Sequence, residues 1–385
     1  MKPRTFFDSL SLLAVGTLAL TGCSRPWRVG PVERPRSDSP LIGSLPERVI
    51  PGGHCESSAL LNALVFLGYP LNEEMIAGGG GALSFTFIPG TFPFVGARNV
   101  DMREVFFRGS GIGSSGGSAP DWEAIYRLLS TGYPVSLRVD MRFLPYRYGG
   151  TYGPRHMSFG GHWITLFAVD PRREVAYVTD TEYADVREIS LKDLHRARTS
   201  DTKVFPPNAE YCWSERAPEG FRIDWDRLAE NSIRTVVANY EEYALDGLSR
   251  YGEEIASLEK RGAKPFLLPA VFAYMAGNIE DYGTGGASFR VLYRGFLAQA
   301  AAKSRIPGVE GALPKIDGCV EAWHALSGEF LAVSERVRGM KADARAAEYA
   351  KLKNLADELH AREKALYTEL AAVVAGPPAE TAAGR

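Results

Sequence analysis

Two kinds of hydrophobic spacing divide this 385-residue chain, and that division limits the fold more than any single motif does. Short apolar runs of the kind strands need occur at 134–140, 162–169, 174–180 and 186–189. From about Asp224 onward the spacing is helical: 224–245, 248–260, 289–302, 320–338 and 342–374 all repeat as amphipathic helices do. In the last of these, Leu352, Leu355, Leu359, Leu366 and Leu370 form one stripe, which reads as bundle packing. Helices in the first half are expected at 55–67, where nearly every position is apolar, at 121–129, and from the cap Ser190 through Arg198. The stretch 78–117 has no helical period. The expectation is therefore α+β: a domain with an antiparallel sheet, followed by an all-α domain.

Five segments follow. Residues 1–23 read as a signal peptide ending in a lipobox, 24–45 as a proline-rich tether, 46–210 as the sheet domain, 211–375 as the helical domain, and 376–385 as a disordered tail. In the first segment Lys2 and Arg4 precede an apolar stretch, Ser9 to Leu20, that fits a secretory core and is too short to span a bilayer. Its end, Leu20-Thr21-Gly22-Cys23, makes Cys23 the candidate lipidation site, and Ser24 after it suggests an outer-membrane destination facing the periplasm. Beyond the N-terminus no apolar run reaches the ~18–20 residues a membrane helix needs. The formal net charge of -2 offers no basic surplus for nucleic acid. Export would leave Cys55, Cys212 and Cys319 in an oxidising compartment, where a Cys212–Cys319 disulfide with Cys55 free is one consistent arrangement.

Chemistry concentrates at His54-Cys55, which stands at the mouth of the 55–67 helix. Unpaired N–H groups and the helix dipole favour thiolate there, so a base is sought downstream. His162 opens one strand-like run, and Asp180 closes the Val175–Thr179 run. Cysteine, histidine and acid in that order suggest a thiol acyl-transfer site. If Asp170-Pro171-Arg172 makes a three-residue turn, Val169 pairs with Arg173 and His162 lies opposite Asp180 on one face. A two- or four-residue turn reverses the face of Asp180 unless a bulge intervenes, leaving Glu182 or Asp170 as the partner. The six histidines are scattered, with no metal-ligand spacing, and no cofactor motif survives its context. The Gly111–Gly116 run, for instance, lacks the strand and helix of a dinucleotide fingerprint and reads as a loop beside the cleft.

Three groups of residues carry a resemblance. The stretch His54 to Leu64 with Leu67-Gly68-Tyr69-Pro70-Leu71, then Val139 to Tyr146, then Gly160-Gly161-His162-Trp163, resembles the N-terminal domain of the butirosin-biosynthesis acyltransferase family. Residues Ile279 to Gly286 and Phe289 to Leu297 are similar to the helical domain of unknown function often fused to it. The resemblance implies a papain-like fold related to bacteriocin-processing cysteine peptidases, with Cys55 as nucleophile, His162 as base and Asp180 as orienter. The family's founding reaction moves an acyl group from a carrier-protein thioester to an aminoglycoside amine. Two features depart from it. An exported lipoprotein would not meet a cytosolic carrier, and no glutamine stands in 48–53, where related peptidases place their oxyanion donor. The backbone amides of Gly53, His54 and Cys55 are the expected replacement.

The Tyr- and Arg-rich segment 140–161 is a candidate lid with Tyr146 and Tyr148 as substrate contacts. Thr284, in the Gly283–Gly286 run, and Arg290 are two more, although Arg290 serves equally as packing between domains. The resulting expectation is an envelope-anchored thiol enzyme that takes a small-molecule or peptide acyl donor and an amine acceptor or water. It uses no cofactor or metal and binds no nucleic acid. The alternative is a lipid-anchored binding or scaffold module that keeps the fold without the chemistry.

Overall fold

The computed structural model of the chain describes residues 41–96 and 99–375. The signal peptide, Cys23, most of the tether and the tail lie outside them. The first half contains β1 (Ile42–Gly43), α1 (Cys55–Phe66), α2 (Glu73–Gly79), β2 (Thr86–Ile88), β3 (Phe94–Gly96), α3 (Met102–Ser110), β4 (Ser114–Ser118), α4 (Glu123–Ser130), β5 (Val135–Val139), β6 (His162–Asp170), β7 (Val175–Thr179), β8 (Arg187–Ser190), α5 (Leu191–Arg198) and β9 (Glu210–Ser214). The second half contains α6 (Trp225–Asn239), a π-helical turn (Tyr240–Ala244), α7 (Leu245–Ala256), α8 (Leu268–Glu280), α9 (Arg290–Lys303), α10 (Ala312–Arg336) and α11 (Ala342–Ala375). The α+β expectation holds: an antiparallel sheet ordered β4-β9-β5-β6-β7-β8, with β1 beside β6, precedes a helical half.

Several boundaries move. Ile42 and Gly43, read as tether, belong to the sheet, and β9 carries the sheet past residue 210 to Ser214. The stretch 78–117 includes α3, whose Asp101 side chain caps its first turn and whose Gly111 closes it at φ 71°. Gly111–Gly116 leads from that cap into β4, not into a loop beside the cleft.

Among the described residues two large cores form on this frame, with a smaller cluster of Ala77, Ala82, Met102, Phe289 and Leu292. One face of the sheet packs on α4 and α5 through Ile125, Leu129, Val135, Leu137, Ile164, Leu166 and Leu194. The other core runs without a break from Leu60 and Leu64 of α1, through Ile76 and Phe106, to Phe272, Phe296, Trp323 and Leu359 of the helical half. The two halves therefore fold as one body of apolar contacts. Cys212 and Cys319 are buried in separate elements, β9 and α10, and both are free, so the disulfide arrangement is not the one adopted.

The hairpin of β6 and β7 settles the register question in an unexpected way. Asp170 pairs with Val175 across a four-residue loop, not three, because the Asp170 carboxylate accepts the N–H groups of Arg172 and Arg173 and Glu174 takes a left-handed φ of 52°. By parity alone that loop would turn Asp180 away from His162. A bulge at Phe167 shifts the register between Ala168↔Tyr177 and Leu166↔Val178, and the extra residue returns Asp180 to the face of Ile164 and His162.

The bulge is held from the side by β1. The Ser44 N–H donates to the Phe167 carbonyl at 3.2 Å, and Gly43 packs so closely that a Cβ there would lie 2.2 Å from the same oxygen. Gly43 also has φ +99°, which no other residue adopts without strain. Gly43→Ala should lower the free energy of unfolding by about 2–4 kcal/mol, the sum of a left-handed backbone penalty and overpacking, as read by urea denaturation. Unchanged stability would show that β1 does not grip the bulge.

Candidate active site

Cys55 is the first residue of α1. His54 before it has extended backbone (φ -135°, ψ 136°), and its carbonyl accepts the Ser58 N–H at 2.9 Å to start the helix. Cys55 is partly exposed, whereas Glu56 to Leu64 are buried. The helix is fixed to the sheet by the Thr165 hydroxyl, which donates to the Ala59 carbonyl at 2.7 Å. At the start of β6, His162 is 4% exposed, and the Cys55 side chain is near enough to raise its pKa. His162 Nε2 lies 2.7 Å from Asp180 Oδ1, so Nδ1 is the ring nitrogen left for sulfur. Cys55, His162 and Asp180 are thus brought together at one site.

Asp180 is deeply bound. Its carboxylate accepts from His162, from its neighbour Thr181 N–H at 2.7 Å, from Arg147 Nη1 at 2.7 Å and from Tyr146 Oη at 3.1 Å. Burial would raise its pKa, but the charges of His162 and Arg147 outweigh that and hold it well below the carboxylate range. For His162 burial opposes the charged form, yet Asp180, with a smaller contribution from Cys55, lifts it to about 9. Asp180 therefore favours the protonated imidazole.

Segment 140–161 is fastened by hydrogen bonds in this structure. The buried Asp140 carboxylate takes the Arg142 and Phe159 N–H groups and the Ser158 hydroxyl from within the segment, and the Ser200 hydroxyl from beyond α5. Tyr146, expected to touch substrate, spends its hydroxyl on Asp180. Arg147, which the motifs did not single out, bridges Asp180 and Glu182. Tyr148 is partly buried beside Gly153, with an enclosed hydroxyl. The fallback partners also have other work: Asp170 caps the hairpin and Glu182 pairs with Arg147.

The expected oxyanion amides are mostly occupied. Gly53 N–H and His54 N–H donate to the two oxygens of Glu73 at 2.8 and 2.9 Å, and Ser57 Oγ donates to the same carboxylate at 2.7 Å. Of the three amides, that of Cys55 remains. Gly52 N–H donates to the Thr181 carbonyl at 2.8 Å, tying the loop before the thiol to the residue after Asp180. Burial raises the Glu73 pKa against these hydrogen bonds. Nothing in the sequence marked Glu73, which opens α2 eighteen positions after Cys55.

Thr284 and Arg290 are not in the cleft. Thr284 Oγ1 donates to the Ile279 carbonyl at 2.8 Å, and Arg290 is fully buried against Glu363, Nε to Oε1 2.8 Å. Among the described residues no cluster of potential ligands could hold a metal ion. A groove of about 400 Å³ runs beside β4, lined by Arg103, Glu210 and Cys212 among others, and includes none of the three aligned residues.

Two family models match the chain. Residues 54–181 match the one described as Butirosin biosynthesis protein H, N-terminal, whose span begins at His54 and ends just past Asp180. The first domain is similar to that family over those residues. Residues 192–370 match a domain of unknown function, DUF4872, so the resemblance read from the motifs holds for both halves. A solved structure described as a C39-like peptidase from Bacillus anthracis is 14% identical, covers 47% of this chain and 96% of its own, and has a TM-score of 0.32. At that score the likeness adds nothing to the fold seen here. No curated protein matches.

Glu73→Ala would leave two part-buried amides without their acceptor and the Ser57 hydroxyl with only the His54 carbonyl at 3.3 Å. It should destabilise the protein by about 2–4 kcal/mol, measured by urea unfolding, since each buried unpaired donor costs ~1–3 kcal/mol less what water recovers. A loss under about 0.5 kcal/mol would show that these amides are solvated and free for a ligand.

Proposed function

We propose that this protein is an envelope-anchored thiol enzyme that forms an acyl-enzyme on Cys55 and passes the acyl group to an amine or to water. One observation carries the reading: a buried imidazole beside a partly exposed sulfur at a helix N-terminus hydrogen-bonds a carboxylate that Arg147 also pairs. The match of the first domain to the butirosin biosynthesis protein H family supports an acyl-transfer class of chemistry.

In the first step the Cys55 thiolate attacks the acyl carbon of a small-molecule or peptide donor, and the carbonyl π electrons move to oxygen. The oxyanion lies at the start of α1, where the Cys55 N–H and the helix dipole face it. The tetrahedral intermediate collapses, the bond to the leaving group breaks, and His162 Nδ1–H gives that group its proton. In the second step an incoming amine or water loses a proton to the now neutral His162 and attacks the thioester, and the thiolate departs. Asp180 keeps the ring in the required tautomer through Nε2. Tyr146 and Arg147 keep Asp180 charged and aimed. The lipobox reading places this body outside the inner membrane on a lipid at Cys23, which makes a cytosolic carrier protein an unsuitable donor.

An activated acyl thioester offered to the purified protein, quenched in acid and read by intact and peptide mass, tests the chemistry. One acyl group on the Cys55 peptide, absent from Cys55→Ala, is the expected result. Equal labelling of Cys55→Ala would contradict the reading in favour of a binding or scaffold module. The same intact mass, taken on protein extracted from host membranes, should show loss of residues 1–22 and a lipid on Cys23. An unprocessed chain would remove the anchor from the proposal.

A further inference from the structure

The loop that opens α9 is built in a conformation that most residues avoid. Six of the seven residues from 283 to 289 have positive φ: Gly283, Gly285 and Gly286 at 77°, 67° and 92°, then Ala287, Ser288 and Phe289 at 46°, 52° and 72°. The last three have side chains, are at most 4% exposed and pay strain for this shape. Such a conformation persists only where its surroundings over-determine it.

On one side the loop meets the segment that carries the thiol. His54 Nδ1 lies 2.6 Å from the Gly283 carbonyl, and its ring packs edge-on against Phe289 with centroids 4.9 Å apart. A Cβ on Gly53 would lie 2.7 Å from the Gly285 Cα, so the two backbones touch. On the other side the loop is moored to the middle of the helical half. Arg290 Nη1 donates to the Ser288 carbonyl at 2.7 Å, while its Nε pairs with Glu363 of α11. Glu363 also accepts from Trp323 Nε1 of α10 at 2.6 Å and from Tyr240 Oη of the π-helical turn at 2.5 Å. Arg290 and Glu363 are both completely buried. A wholly buried ion pair is a poor source of stability and a good source of fixed geometry.

We propose that the helical domain positions the nucleophile. His54 is the positioning residue through which the left-handed loop fixes the backbone entering Cys55, and Arg290 with Glu363 is the mooring that holds that loop in its strained shape. This goes beyond the acyl-transfer reading but rests on Cys55 being its nucleophile. The role differs from packing: with the tether released, the protein stays folded and the thiol loses its alignment with His162.

The test is the rate of iodoacetamide modification of Cys55 in the full chain at neutral pH, followed by peptide mass mapping, beside the thermal midpoint of each variant. His54→Ala removes the contact to Gly283, whereas in His54→Asn an amide nitrogen replaces Nδ1. His54→Ala should slow modification by at least about tenfold with a midpoint close to wild type, and His54→Asn should recover most of that rate. Glu363→Gln, wherever its circular dichroism shows a folded chain, should slow Cys55 by a similar factor although it lies in α11. A reactive wild type whose rate stays within about twofold in His54→Ala overturns this proposal alone. Equal slowing in the Ala and Asn variants, matched by equal losses of midpoint, overturns it as well. A wild-type Cys55 no faster than an ordinary thiol removes the functional reading and this one with it.

Discussion

The 2.7 Å hydrogen bond between His162 and Asp180 is the interaction on which the remaining geometry depends. It exists because one extra residue in β6, the bulge at Phe167, corrects a hairpin loop of the wrong parity. With the bulge in place, a carboxylate just past the end of β7 and an imidazole at the start of β6 share a face. Arg147 and Tyr146 then reach Asp180 from the segment after β5, and Gly52 reaches Thr181 from the loop before Cys55. Removing the Gly52 contact leaves an amide without its partner, and each donor taken from Asp180 leaves a buried charge with fewer hydrogen bonds, a loss of about 1–3 kcal/mol per contact.

The thiol itself is placed by three parts of the chain distant in sequence. Residue 73 takes the two amides ahead of it, residue 181 takes a third, and residues 283–289 press on His54 and Gly53. Residue 73 opens α2, residue 181 lies just past the end of β7, and residues 283–289 precede α9 in the helical half. A thiol at a helix N-terminus is usually described as a property of its helix, yet here the segment entering that helix is defined by its surroundings, the helical half included. The continuous apolar core from α1 through α11 makes such a division of labour possible, because the two halves cannot move apart without exposing it.

Much of this was legible in the sequence. The strands β5 to β8 and helices α1, α4 and α5 stand where period and caps place them, because each is an amphipathic or wholly buried element with turn residues at its ends. The three residues of the candidate site were legible as well, as a thiol ahead of an apolar helix and a histidine and acid at strand ends. The oxyanion assignment was not: that Glu73 would fold over Gly53 and His54 is a tertiary fact with no local signature. Arg290 and Thr284 looked like ligand residues because they sit beside a glycine run, but the glycines serve a backbone-to-backbone contact. Helix α3 was missed although Asp101 and Gly111 bracket it, since the surrounding glycines masked a short period. The hairpin shows a subtler limit, for the expected pairing of faces arises from a loop and a bulge whose separate effects on parity cancel.

The most direct test of the account is the titration of the His162 ring, followed by nuclear magnetic resonance of the labelled imidazole. Asp180 raises the affinity of that ring for its proton and burial lowers it, so the protonated form persists as pH rises and is lost near 9. In Asp180→Asn only burial and the thiol remain, and the midpoint should fall below the ordinary value of 6.5. A wild-type midpoint at or below 6.5 that does not respond to Asp180→Asn would mean that the two side chains do not meet, and the alignment of Cys55, His162 and Asp180 would have to be given up.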